Sequence, residues 1–80
     1  MATHPLPEEC ARRLLGVFVR HFGLRQGDAL LQNNLDAVWI KNRWHPNDLK
    51  NGLDYAIEQG WIEPLPGNQY KLTDTGFAAA

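Results

Sequence analysis

The stretch "PNDLKNGLDYAIEQGWIEPLPGNQYKLTDTGF", residues 46–77, divides at Gly60. Before it, Pro46 suits a first helical position and Asp48 a first turn, while Leu49, Leu53, Ala56 and Ile57 recur at helical spacing. That pattern predicts a helix ended by a left-handed Gly60. Gly52 inside it costs about 1 kcal/mol relative to Ala, a cost that close helix packing would explain. After Gly60, Trp61-Ile62-Glu63 predicts a strand, and Pro64, Pro66, Gly67 and Asn68 a turn. Gln69–Thr73 then returns as a second strand with Tyr70 and Leu72 on one side. A two-stranded hairpin is not stable alone in water, so the chain upstream must cover it.

Two further helices are expected there. Pro7 opens the first, with Glu8 and Glu9 complementing its dipole. Ala11, Leu14, Leu15, Phe18 and Phe22 form its apolar stripe, Cys10 and Val17 its shoulder, and Gly23 its stop. Arg13, Gly16 and Arg20 fall on the opposite face, toward water. In the second, Leu31, Leu35, Val38 and Trp39 share a face up to about Arg43. Its start has two readings. Asp28 or Asn33 could serve as N-cap, and the later choice frees Ala29–Leu31 for a short strand.

The 80 residues allow one modest domain, expected over residues 7–77 between an N-terminal arm, 1–6, and a tail, 78–80. A 44% apolar and 21% charged composition fits a folded chain rather than a disordered one. Cys10 is the only cysteine, which excludes an intrachain disulfide and a cysteine zinc cluster. No apolar run approaches the roughly 20 residues of a membrane span, and "MATHPLPEEC" lacks the features of a secretory signal. A cytoplasmic setting without membrane contact is the expectation. The net charge of −1 hides an asymmetry. Residues 1–45 carry six cations against four acids, and residues 46–80 carry two against five.

The order helix, helix, helix, hairpin and the segment "DLKNGLDYAIEQGWIEP…NQYKLTDTGFA" resemble a winged helix-turn-helix domain. In that family a third helix ends in Gly, an apolar strand follows, and a Tyr-x-Leu-Thr-x-x-Gly segment closes the wing. Tyr70, Leu72, Thr73 and Gly76 stand at those closing positions. The resemblance implies an α+β, mainly α fold of three helices with a C-terminal β-hairpin wing. It implies a DNA-binding transcriptional regulator, working as a homodimer or with a protein partner, whose third helix enters the major groove.

On that reading Asn47, Lys50 and Asn51 would meet base edges, and Lys41, Arg43 and Lys71 would meet phosphates of double-stranded DNA. Asn47 also reads as the cap of its own helix, and Asn51 as a solvated side chain. Asp54 and Glu58 lie on the same outward face, and the tip "PLPGNQ" carries no cation. Those features suit a rival reading, a winged-helix protein-interaction module that does not bind DNA. Trp44, Trp61 and Leu65 read as seals on a small core, or as anchors for a partner where exposed. No phosphate loop, nucleophile elbow or His-Glu-x-x-His helix is present, and His4, His21 and His45 are scattered. The expectation is therefore no enzyme, no cofactor and no metal.

Overall fold

The computed structural model describes residues 6–80. The arm expected over residues 1–6 lies, apart from Leu6, outside the described residues. Helix α1, Pro7–Gly16, continues through a wider π-helical turn, Val17–His21. Strand β1, Ala29–Leu31, leads directly into α2, Gln32–Lys41. Helix α3, Pro46–Glu58, is followed by strands β2, Ile62–Leu65, and β3, Gln69–Leu72, and by a short helix α4, Asp74–Ala79. The protein is mainly helical, with one small antiparallel sheet in the order β1-β3-β2.

Proline and glycine set most of the boundaries. Pro7 and Pro46 occupy first-turn positions, where a missing N–H is no loss. Gly23 and Gly60 take positive φ values of 66° and 75° as the chain leaves its helices. At Gly23 this returns the Leu24 N–H to the Phe18 carbonyl at 2.9 Å. The second helix stops at Lys41 rather than Arg43, because Arg43 itself adopts a φ of 59°. Neither Asp28 nor Asn33 caps α2. Leu31 stands at that position in extended conformation, so Ala29–Leu31 takes the strand alternative.

That strand is what the hairpin needs. Leu30 pairs with Tyr70, and Ile62 with Leu72, so β3 is central and hydrogen-bonded on both sides. The strand run continues through Pro64 and Leu65, leaving Pro66, Gly67 and Asn68 for the turn. Pro64 is tolerated because β2 is an edge strand. Leu30, Ile62 and Leu72 are buried against Leu14, Leu15, Phe18, Leu35, Trp39, Leu53 and Ala56.

The tightest helix contact is between α1 and α3. A Cβ on Gly52 would stand 2.8 Å from the Cys10 carbonyl carbon and 2.9 Å from its oxygen. These are backbone atoms of a packed helix, so no rotamer change can make room. The glycine that weakens α3 locally is what lets α1 lie against it.

A second lock joins both ends of the hairpin. The Thr73 hydroxyl lies 2.5 Å from the Gly60 carbonyl and 2.9 Å from that of Trp61, and donates its proton between them. The same oxygen accepts the Gly76 N–H at 3.0 Å, capping α4. Gly76 presses directly on the Trp61 carbonyl, leaving no space for a Cβ. The Thr-x-x-Gly spacing thus starts a helix, where the sequence reading expected only a wing closure and a tail.

Replacing Gly52 with Ala is expected to destabilise the fold by up to about 2 kcal/mol. Overpacking of about 1–3 kcal/mol outweighs a helix-propensity gain of about 1 kcal/mol. Gly16→Ala, where a Cβ meets nothing within 4 Å, should instead be neutral or stabilising by up to about 1 kcal/mol. Urea unfolding of both variants reads this contrast. The same measurement should show Thr73→Val losing about 1–2 kcal/mol and Thr73→Ser retaining most of it.

Candidate nucleic-acid and partner interface

Helix α3 divides the molecular surface in two. One side packs on α1 through Gly52 and Ala56, both buried. Its other side, with Pro46, Leu49, Lys50, Leu53, Asp54 and Ile57, faces α2 across a groove. Between them runs an exposed ridge of Asn47, Asn51, Asp54 and Glu58. Tyr55 donates to Glu8 near one end of α1, while the Arg13 guanidinium lies over Trp44, just before α3 begins. Helix α1 therefore runs opposite to α3, with its later residues beside the α3 N-terminus.

That N-terminus is capped by His45, whose Nδ1 accepts the Asn47 N–H at 3.0 Å. The cap expected from the Asn47 side chain is thus supplied by its neighbour, and the Asn47 side chain is exposed. The Trp39 indole N–H donates to the His45 carbonyl at 2.9 Å and pins the turn between α2 and α3 to the core. Trp44 meets Trp39 edge to face at 4.8 Å and is half-buried, whereas Trp61 is buried.

The six residues assigned to DNA do not form one patch. Asn47, Lys50 and Asn51 are exposed together on the first half of α3, and Arg43 is exposed in the turn before it. Lys41 sits on the far face of α2, beside His21, Phe22 and Asn34. Lys71 lies opposite Glu63 in the sheet and is paired with it at 3.2 Å. It alternates with Tyr70 and Leu72, so it points away from the sheet face that meets the core.

Two features outside that set stand out. The first is a concavity of about 450 Å³ where Arg12 and Arg13 of α1 and Arg20 of the π-helical turn meet His21, Asn42 and Trp44. Arg12 is tied to Glu8 at 3.1 Å, and Arg13 stacks on Trp44 at 4.8 Å rather than standing free in water as expected. Arg20 is exposed. The signal was present in the sequence as arginines opposite the apolar stripe of α1 and a cationic first half of the chain.

The second is the groove between α2 and α3, about 510 Å³ in volume and bordered by Tyr70 of β3. Trp39, Leu49 and Leu53 form its buried floor. Ile40 and Ile57 stand at its margins, 68% and 37% exposed. Ile57 was expected in the core, and its position one residue past Ala56 turns it outward to this rim. Asp36 and Asp54 are the groove's acids, and Gln32 donates to Asp36 at 2.8 Å.

Among the described residues no three His, Cys, Asp or Glu side chains converge as metal ligands. No helix among them is long and apolar enough to cross a membrane. Burial, with Asp48 adding to it, raises the Cys10 thiol above its ordinary value. The thiol is fully enclosed and serves as packing. No protein-family model, curated protein or solved structure matches the chain.

Burial raises the Tyr70 phenol above its ordinary value of 10.0, with Asp36 and Asp54 adding to the effect. Tyr55 is raised as well, by burial and then by Glu8. An acid whose folded pKa is raised ionises first in the unfolded chain, so its stability contribution is complete below pH 10.0 and falls above it. Stability measured across the alkaline range should decline from about that pH. Tyr70→Phe should make the decline shallower.

Proposed function

We propose that this chain is a winged helix-turn-helix domain that binds double-stranded DNA in transcription regulation, as a dimer or with a partner. The order α1-β1-α2-α3-β2-β3, with β3 paired between β1 and β2, supports the fold reading. The observation that carries the functional one is the position of the arginine-lined concavity. It borders the turn that leads into α3, where Asn47, Lys50 and Asn51 are exposed.

Binding needs cations for the phosphates and polar side chains for the base edges. The wing offers little of the first, since Lys71 is paired with Glu63. Arg13, Arg20 and Arg43 take over that role, with Arg13 oriented by Trp44. Asn47 and Asn51 supply the second, because Asn can meet adenine through two hydrogen bonds. Asp54 and Glu58 lie further along α3, away from the arginines. A symmetric pair reading two half-sites would strengthen the contact of a single small domain.

A second reading has one observation in its favour. Asp48, Asp54 and Glu58 outnumber Lys50, the only cation on α3, which suits a basic protein surface without DNA binding.

Titration of labelled protein with a mixed-sequence duplex at low salt should shift amides at Arg20, Arg43, Asn47 and Asn51. Arg20→Gln should weaken all sequences alike and reduce the slope of log affinity against log salt by about 1. Asn51→Ala should instead reduce discrimination between sequences, by about 1–3 kcal/mol at one base pair. Absence of shifts at high protein concentration would overturn the DNA reading in favour of the second.

A further inference from the structure

The groove between α2 and α3 is built of surface that water does not favour. Buried Trp39, Leu49 and Leu53 line its bottom, and Ile40 and Ile57 extend the apolar surface outward along both helices. Its volume, about 510 Å³, lies in the range of formed binding clefts. Its charges are unequal, two aspartates against Lys50.

The aspartates come from opposite walls, Asp36 from α2 and Asp54 from α3. Gln32 holds Oδ1 of Asp36 and thereby fixes the direction of that carboxylate. Both aspartates act on the Tyr70 phenol between the helices, which raises its pKa beyond the effect of burial alone. Such a site repels a phosphate backbone and favours a cation flanked by apolar groups. Two helical walls present ridges between which a third helix can lay its own.

We propose that this groove docks an amphipathic helical segment of a partner protein. Two apolar side chains enter between Ile40 and Ile57, and a neighbouring Lys or Arg sits between Asp36 and Asp54. The groove shares no lining residue with the arginine-lined concavity, and Lys50 alone belongs both to it and to the residues offered to base edges. Docking therefore does not require DNA binding, and each can fail alone.

The test uses a helical peptide of about 15 residues with leucines at i and i+4 beside one arginine. A twin carries Glu in place of the Arg. Titrated into labelled protein, the arginine peptide should shift amides at Ile40, Leu53, Ile57 and Tyr70, and bind roughly tenfold more tightly than its twin. Asp36→Asn combined with Asp54→Asn should abolish that difference. Ile40→Glu, a change at a largely exposed position, should lower the affinity of the arginine peptide at least about tenfold with the spectrum of the free protein otherwise preserved. Equal binding of the two peptides, or shifts outside the groove, would overturn the proposal. So would groove shifts that follow protein concentration without peptide, which would assign the groove to a second copy of the chain.

Discussion

Gly52 against the Cys10 carbonyl is the contact on which the rest of the architecture depends. A methyl group there would separate α1 from α3, and with it the two layers between which Leu14, Leu53 and Ala56 are buried. With their backbones this close, α1 carries Arg12 and Arg13 along one flank of the pair, and α3 carries Lys50, Asp54 and Ile57 along the groove with α2. A small domain has few ways to keep two surfaces apart, and here one helix serves as the partition.

The surface chemistry follows that partition. Cations gather where α1 approaches the turn before α3, and aromatic stacking by Trp44 holds one of them in place. Acids and apolar groups gather on the opposite flank of α3, and the cation of β3 is neutralised by its cross-strand neighbour. A chain of net charge −1 therefore carries two faces of unlike character, which whole-chain charge conceals.

Much of the fold was legible because residues with special backbone preferences mark its joints. Pro7, Pro46 and Gly60 each stand where the backbone requires them, and the stripe of α1 needed only helical counting. The start of α2 stayed open because Ala29-Leu30-Leu31 favours a helix by local propensity, and pairing with β3, remote in sequence, decides for a strand. Helix α4 was hidden for a related reason. Thr73 closes the sheet and caps a helix with the same oxygen, so its first role masked its second. The candidate site divides in the same way. Exposure of Asn47, Lys50 and Asn51 follows from the period of α3, but the pairing of Lys71 depends on strand register and the groove on where α2 lies. Spacing within one element reveals its faces. It does not reveal which other element meets them.

The sheet order has a consequence for how the chain reaches this state. Strand β3 lies between β1 and β2 and joins them, and it follows both of them in sequence. During synthesis from the N-terminus, both flanking strands leave the ribosome without their hydrogen-bonding neighbour, and Leu30 and Ile62 lack their final cover. Helix pairing between α1 and α3 can begin earlier, whereas the sheet closes in one late event that joins distant segments.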